Sequence, residues 1–364
     1  MIRKIDWYII RKFLGTFVFM VAIILAVSIV IDVAEKIDDF IERKPPIDEL
    51  IFSYYLNFCL FYGNLLSPIC IFLAVIYFTS RMTNNTEIVA LLSGGVSFWR
   101  VLAPYFFTAV ALAAGSFYLN AFLVPVATAE RINFEYDHLK KKTVMRDVNI
   151  HKKIAYDQAS GQETFVYLYN FDQYKKEGYM FSMEVIRDKD IVKKLDANKI
   201  KWNDSLQGWH LEGVKVHTFN GTKERLIDIP SMDTTLLLTP DDIFIKEMRA
   251  ESLPLDKLYS SIDQETMRGS GLAEELIMEK YERYAYPFSA IILTLIGFSV
   301  STRKRRGGTP LQIGIGLVIA FAYVLLVVTG QAISGEKMPP WLTVWLPNII
   351  FFGIAALMLR LAPK

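Results

Sequence analysis

The sequence contains little of the chemistry that an active site or a metal centre requires. Of its 364 residues, two are cysteine and four are histidine. Cys59 and Cys70, on one predicted helix, lie too far apart to form a disulfide. The histidines form no HExxH motif, and neither a G-x-S-x-G elbow nor a G-x-x-x-x-G-K-S/T phosphate loop occurs. We therefore predict no catalytic residue, no metal site and no cofactor bound by this chain, and we do not expect an enzyme.

A large net charge is also missing, as are charged residues in the middle of the apolar segments. The formal net charge is +2, which indicates no nucleic acid partner. Acidic and basic residues stand at the ends of the apolar segments, whereas proton- and ion-coupled carriers need ionisable residues inside the membrane. If the protein does work on a substrate, energy must reach it from another subunit through a cytoplasmic loop.

Long apolar segments are the abundant feature. Hydrophobic residues make up 52% of the chain, and about 20 consecutive apolar residues cross a hydrocarbon layer of about 30 Å. Segments of that length occur at about 13–31, 52–79, 101–124, 285–302, 311–333 and 341–359. The second is long enough to tilt strongly. The pattern predicts a helical membrane protein with six transmembrane helices, three before and three after a large insertion.

The distribution of lysine and arginine predicts the orientation of these helices. Both residue types cluster at the N-terminus, in the RKRR loop at 303–306 and at the C-terminus, whereas acids dominate the loop between the first two segments. We therefore expect a multi-pass membrane protein with both termini and the 81–100 loop in the cytoplasm. The same path places the insertion on the outer side of the membrane.

The insertion has the pattern of an all-β domain. Residues 163–171, 179–188 and 199–219 have strand-like composition, and Trp202 and Trp209 flank a turn in the third stretch. Short strands of this kind suggest a β-sandwich or jelly roll. The domain is interpreted either as a structural module without chemistry or as an apolar groove for a lipid or a neighbouring β domain. The predicted parts are transmembrane helices in 1–124, an external β-jelly-roll domain in 125–276 and transmembrane helices in 277–364.

The stretch RMTNNTEIVALLSGGVSF, at 81–98, predicts a short helix between the second and third apolar segments. Asn84 and Glu87 have the spacing of a capping box, and Gly94-Gly95 supplies the end of the helix. Its acid and its apolar stripe are Glu87, Ile88, Leu91 and Leu92. Two interpretations are open for this helix, at about 83–94. It is either a capped helix on the membrane surface or a coupling helix that docks into a cytoplasmic motor.

Six stretches of the chain follow one another in an order that is specific to one family. They are IDWYIIRKFLGTF (5–17), TEIVALLSGGVS (86–97), LTPDDI (238–243), YAYPFSAIILTLIGF (284–298), RKRRGGTPLQIGIGLVIAFAY (303–323) and MPPWLTVWLPNIIF (338–351). Together they resemble the LptF/LptG-type (YjgP/YjgQ) permeases, the membrane subunits of the lipopolysaccharide export ATPase. The resemblance covers essentially the whole chain, including a β domain inserted after the third span.

The resemblance implies several partners. Two such permeases, either two different chains or two copies of one, form a cavity in the bacterial inner membrane, with their β domains in the periplasm. A dimeric ATPase subunit, which binds ATP and Mg²⁺, docks on their coupling helices, and here Glu87, Ile88, Leu91 and Leu92 are the expected contacts. Lipopolysaccharide enters from the outer leaflet between the first and fifth spans. It then passes through the jelly-roll domains to a periplasmic bridge that begins with a bitopic protein.

A lipid with several acyl chains and a phosphorylated head group needs apolar walls and cations at the membrane boundary. The expected walls are Phe17, Phe19, Phe72, Phe78 and Phe321. The expected head-group cations are Lys36, Arg131, Lys280 and Arg283, each of which is also interpretable as an ordinary interfacial residue. One position departs from the family, because Asp32 stands where a lysine is expected, with Lys36 one turn further along.

The leading hypothesis is a permease subunit without an active site, and two other classes of function compete with it. A membrane-anchored structural or partner-binding protein of the envelope would not need a coupling helix. An envelope enzyme that acts through the β domain would need a nucleophile and a base, for which the sequence shows no motif.

Overall fold

A computed structural model describes most of the chain. The described residues are 4–139, 150–157, 161–172, 175–188, 190–204, 206–220, 223–236, 239–240, 250–268, 272–303, 307–334 and 338–361. They divide into two compact units, Met1–Leu139 with Ile277–Lys364, and Lys140–Leu276. The predicted start of the β domain, residue 125, falls within the continuous helix Phe98–Leu139. The first unit therefore extends to the end of that helix, at Leu139.

The first unit is helical. Before the insertion it contains α1 (Lys4–Arg43), α2 (Ile47–Leu65), α3 (Ser67–Asn84), the short α4 (Glu87–Ser93) and α5 (Phe98–Leu139), which has π-helical turns at Leu119–Leu123 and Glu135–Leu139. After the insertion come α7 (Leu272–Ser301), α8 (Gly308–Ile333) and α9 (Pro340–Arg360), while α6 (Leu255–Arg268) precedes them in the second unit. Among the described residues, five helices are long and apolar enough to cross a membrane, and six spans result if α2 and α3 count as one.

The second predicted span is bent rather than merely tilted. Helices α2 and α3 meet at an angle of 61° on either side of Leu66. The cause is Pro68, which has no N–H to donate to the carbonyl of Asn64 and whose ring cannot follow a straight helix. The Tyr286 hydroxyl of α7 donates to the carbonyl of Leu65 and lies 3.2 Å from that of Asn64, so it supplies a hydrogen-bond donor at the break.

One apolar core joins helices from both sides of the insertion. Its largest buried members include Phe13, Phe72, Tyr105, Phe298, Tyr323 and Phe351. Tyr105 stacks on Phe78 with ring centroids 5.2 Å apart and contacts Phe298 at 4.6 Å. The Thr83 hydroxyl donates to the carbonyl of Ser301 at 2.8 Å. The helices before the insertion and the helices after it therefore form one packed body.

The second unit contains a six-stranded antiparallel sheet. Its strands are β1 (Ile150–Asp157), β2 (Gln162–Asp172), β3 (Glu177–Arg187), β4 (Asp190–Asn203), β5 (Gly208–Asn220) and β6 (Lys223–Thr234), and they pair in chain order. The predicted all-β insertion is confirmed, including the hairpin with Trp202 and Trp209, whose rings contact edge to face at 5.1 Å. The described strands show a meander and do not show the Greek-key crossing that defines a jelly roll.

A local irregularity, which we call the crease, crosses the sheet at the level of Gly213 in β5. It changes which residues of each strand face the core. In a regular strand the buried residues alternate, but in β5 they are Trp209 and Leu211 and then Val214, three positions on. Gly213, at the crease, has a φ of +64°. The same step of three occurs in β2, from Leu168 to Phe171, and in β4, from Ala197 to Ile200. Residues from both sides of the crease belong to one core, so the sheet curls around it.

An ion-pair cluster stabilises the sheet. Lys201 and Lys199 donate to the Glu177 carboxylate at 3.0 and 3.1 Å. These hydrogen bonds, that of Lys201 first, hold the pKa of Glu177 below its usual range. Because folding lowers this pKa, the stabilisation is present above the unfolded pKa and is lost as the pH falls through the lowered value.

Gly178→Ala should destabilise the β unit. A Cβ at residue 178 would lie 2.8 Å from Cδ1 of Leu168 and 3.1 Å from Cγ2 of Ile200. The added methyl group therefore overpacks the core and lowers the free energy of unfolding by about 1–3 kcal/mol. The measurement is the midpoint of thermal unfolding of the full chain in detergent. The double variant Gly178→Ala/Leu168→Ala, compared with each single variant, is expected to recover part of the loss because the second change makes room for the methyl group. Strict additivity of the two losses would contradict this packing.

Candidate functional site

Helix α1 is continuous over 40 residues and is about 60 Å long. Its buried residues are Asp6, Ile9 and Phe13 near one end and Asp32 near the other. No residue between Phe13 and Asp32 is buried within the described part of the chain. Two sites that the sequence indicates lie near the ends of this helix. One is the short helix with Glu87, and the other contains Lys36 and Arg131.

The first site is the short helix α4, which begins later than the sequence predicts. The predicted capping box is wrong, because Asn84 is the last residue of α3 and donates to the Thr309 hydroxyl at 2.7 Å. Thr86 precedes α4 with a left-handed φ of 64°, and Glu87 is the first helical residue. A carboxylate in the first turn stabilises the helix through its dipole, so Glu87 still supports the start of α4.

Helix α4 has one face against the helical core and one exposed face. Ile88 is 1% exposed and belongs to the core, and Leu91 and Leu92 are partly buried against it. Ile88, which the sequence indicated as a docking contact, therefore holds α4 in place instead. The exposed face carries Val89, at 44% exposure, with Ala90 and Ser93.

Glu87 is connected to helix α1. The Tyr8 hydroxyl donates to Oε2 of Glu87 at 3.2 Å, and the Asn85 amide lies 3.4 Å from Oε1. Two residues earlier in α1, Asp6 accepts from the Arg100 guanidinium of α5 at 2.6 Å. Sequence reasoning missed Tyr8, Asp6 and Arg100. A motif search cannot find such contacts, because the partners are 79 and 94 residues apart.

The second site is a cluster at the other end of α1. Asp32 is buried and accepts from the Tyr54 hydroxyl at 2.9 and 3.0 Å and from the Tyr55 hydroxyl at 3.3 Å. Lys36, one turn further, lies 2.9 Å from Asp32 and also contacts the Tyr54 hydroxyl. The acid that departs from the family pattern is therefore the centre of this hydrogen-bond network.

Glu135 connects this network to Arg131. One oxygen of Glu135 lies 3.0 Å from the Lys36 ammonium and 4.0 Å from the Arg131 guanidinium. Arg131 is 4% exposed, and its guanidinium lies 5.1 Å from the ring centroid of Phe61. Its Nε atom is buried without a hydrogen-bond partner among the described residues. Two acids and two bases thus form one locally neutral cluster, which we call the Asp32 cluster: Asp32, Lys36, Arg131 and Glu135.

The other two predicted head-group cations lie on α7. Arg283 is buried and donates to Glu279 at 2.7 Å. Lys280 is half-buried, with its ammonium 5.6 Å from the ring centroid of Tyr281. Lys36, Arg131 and Arg283 are each engaged with carboxylates of the same chain, which the sequence did not indicate.

The five predicted wall residues do not share one surface. Phe72 and Phe78 are buried in the helical core, Phe17 is partly buried against it, and Phe19 and Phe321 are exposed at 60% and 65%. Among the described residues, no group of three or more histidine, cysteine or acidic side chains is placed to hold a metal ion.

Tyr54→Phe should loosen the Asp32 end of α1. The change removes the hydroxyl that donates to a buried carboxylate, and an unsatisfied buried acceptor costs about 1–3 kcal/mol. The measurement is the thermal unfolding midpoint of the full chain in lipid nanodiscs. Tyr62→Phe is the matched control, since Tyr62 lies beside the same aromatic group and the described residues show no hydrogen bond to its hydroxyl. Equal midpoints for the two variants would contradict a structural role for the Tyr54 hydroxyl.

Comparison with known proteins places the chain in a family. A search of curated proteins found no match. The family model described as lipopolysaccharide export system permease LptF/LptG matches residues 7–361, which omits only three of the described residues. With its apolar helices, the chain is a multi-pass inner-membrane protein. It belongs to the LptF/LptG family of lipopolysaccharide export permeases.

Proposed function

We propose that this chain is the non-catalytic permease subunit of an ATP-driven exporter. It extracts lipopolysaccharide from the outer leaflet of the inner membrane and passes it to a periplasmic bridge that begins with a bitopic protein. A dimeric cytoplasmic subunit binds ATP and Mg²⁺ and hydrolyses the nucleotide. The permease pairs with a second LptF/LptG-type chain or with a copy of itself. Membership of the family and the geometry of α4 support this proposal.

The observation that carries the proposal is the division of α4 into a buried and an exposed face. Ile88 fixes the helix to the core that also contains residues of α3, α5 and α7. A subunit that pushes on the exposed face therefore moves the transmembrane helices and not a free loop. The hydrogen bond from Tyr8 to Glu87 extends this connection to α1.

The exposed face of α4 indicates what the ATPase subunit must present. Glu87 is partly exposed beside the apolar Val89 and Ala90. An apolar groove with an arginine at its edge complements this surface, because opposite charges select the partner and fix the register of a small interface. The expected contacts of the ATPase subunit are Glu87, Val89, Ala90 and the exposed edges of Leu91 and Leu92.

The length of α1 is sufficient for a transmembrane span with one candidate site near each end. Tyr8 and Asp32 are separated by 24 residues of helix, or about 36 Å. This exceeds the hydrocarbon thickness of about 30 Å, so α1 is long enough for its two ends to lie on opposite sides of a membrane. The distribution of lysine and arginine predicts which side each end takes, and on that basis we expect α4 in the cytoplasm, the Asp32 cluster at the periplasmic boundary and the β domain in the periplasm.

Glu87→Arg should weaken association with the ATPase subunit by at least about tenfold, because the substitution places like charges together at the interface. The measurement is the dissociation constant between the purified ATPase subunit and the full permease in nanodiscs. Glu42→Arg, at the opposite end of α1, makes the same charge change and should leave the constant unchanged. Wild-type affinity of the Glu87→Arg variant, with thermal unfolding also unchanged, would count against coupling through α4.

Photo-crosslinking from the first and fifth spans tests the substrate. Val27 on α1 and Val318 on α8 are exposed at 55% and 69%, so a photoreactive residue there meets whatever lies beside the helix. We expect both positions to capture lipopolysaccharide in cells, and Leu357 on α9 serves as an equally exposed control. If expression is normal and neither Val27 nor Val318 captures lipopolysaccharide, the protein is better explained as an envelope anchor that binds partners.

A further inference from the structure

The described helices contain a second group of buried apolar side chains. It is distinct from the helical core, the group that joins helices from both sides of the insertion, and none of the described residues belongs to both. We call the segments that carry the second group the Tyr54 bundle: residues 29–43 of α1, helix α2 and residues 124–139 of α5. Its apolar members include Tyr54, Phe58, Phe134 and Leu139, with Ile29 and Phe40 packed against them.

Two of the segments that connect the Tyr54 bundle with the helical core are irregular. One is the break at Leu66, where α2 and α3 meet at 61° because of Pro68. The other is the π-helical turn Leu119–Leu123 of α5. Prolines and π-helical turns are positions at which helices bend, because both interrupt the regular ladder of backbone hydrogen bonds. Each of these two connections therefore bends more easily than a regular helix.

A third connection, helix α1, is continuous but loosely packed at the same level. No described residue between Phe13 and Asp32 is buried. Where α1 passes α2 its neighbour is Gly63, which has no side chain, and a Cβ there would lie 3.6 Å from Cδ1 of Leu25. Interlocked side chains resist relative movement, and the middle of α1 has few of them, so α1 offers little resistance to tilting.

Asn64 links the two irregular segments. It is buried and lies just before the break between α2 and α3. Its amide nitrogen donates to Oδ1 of Asn120, within the π-helical turn, at 2.6 Å, and its amide oxygen accepts from the Ser116 hydroxyl at 2.8 Å. The Tyr286 hydroxyl of α7 donates to the adjacent carbonyl of Leu65. Hydrogen bonds between side chains hold helices together in a membrane, where lipid tails are as apolar as the helices.

We propose that the helical unit has a hinge at this level, about which the Tyr54 bundle turns against the helical core. The bending points are Leu66 and the turn Leu119–Leu123, and Asn64 is the positioning residue that holds them in their present arrangement. Hinges generally consist of a few residues at the ends of helices that absorb a large change in backbone direction, and the break at Leu66 is such a place.

The hinge separates the two candidate sites. Ile88 holds α4 in the helical core, whereas Asp32 accepts hydrogen bonds from Tyr54 and so belongs with the Tyr54 bundle. Bending at the hinge therefore changes the distance between the sites without unpacking either group of side chains. The hinge itself does not depend on the proposed function.

The test measures distances between spin labels by double electron–electron resonance. The full chain is reconstituted in nanodiscs without an ATPase subunit and diluted with unlabelled chain, so that distances within one chain dominate. Cys59 and Cys70 are first replaced by alanine, so that only introduced cysteines carry a label. Val126 and Phe107 lie on α5 on either side of the π-helical turn, at 53% and 68% exposure, and each is paired with Val318 of α8. We call Val126–Val318 the crossing distance and Phe107–Val318 the core distance.

Asn64→Leu removes both amide hydrogen bonds at similar side-chain volume. We expect it to broaden the crossing distance and to raise the population away from the wild-type value by about threefold or more, as expected for the loss of an interhelical hydrogen bond in a membrane. The core distance should keep its wild-type distribution, because both of its labels are attached to helices of the helical core.

Asn57→Leu on the same helix is the matched control, since the Asn57 amide donates to the Ser53 carbonyl within α2 at 2.8 Å. Asn120→Leu removes one of the two hydrogen bonds at a half-buried position, which covers the case in which Asn64→Leu does not fold. The proposal is overturned if these two variants leave the crossing distance as Asn57→Leu leaves it, or if they broaden the core distance by as much. Neither the ATPase subunit nor lipopolysaccharide takes part, so the proposed function is tested separately.

Discussion

Polar contacts at the two ends of α1 are the constraint on which the rest of the helical unit depends. In a membrane, an apolar side chain gains little by leaving lipid for protein, so buried polar contacts and close packing specify how helices associate. Between Phe13 and Asp32 the helix has no buried residue in the described structure. Its buried contacts are the Asp6–Arg100 pair with Ile9 and Phe13 near one end, and the Asp32 network near the other.

Glu87 and Asp32, one carboxylate from each candidate site, show how the environment gives similar groups different roles. Glu87 is partly exposed and has one hydrogen bond from α1, which leaves it accessible to a partner. Asp32 is buried and has its hydrogen-bonding capacity filled by tyrosine hydroxyls and a lysine, which makes it structural. Lys36 lies between Asp32 and Glu135, so its charge is balanced within the same chain.

The described strands of the β unit form one sheet, which curves because the buried face shifts by one residue along its strands. The crease near Gly213 moves the buried face by one residue in several neighbouring strands at the same level, so both halves contribute to one core. The strand-like stretches and the hairpin around Trp202 and Trp209 were predictable from alternation and turn residues. The shift of the buried face by one residue was not predictable. Within a single strand it looks like a loss of alternation, and only the neighbouring strands show that it is shared.

The sequence by itself determined the class of protein, the apolar spans and the inserted β domain, because hydrophobic length and alternation are local properties of the chain. It also determined the family, through the order of motifs along the chain. Only the tertiary structure decided where α4 begins, that Ile88 is buried, and that Lys36 and Arg131 face carboxylates of the same chain. These features depend on residues far apart in sequence, and burial and ion pairing are properties of the contacts that folding creates.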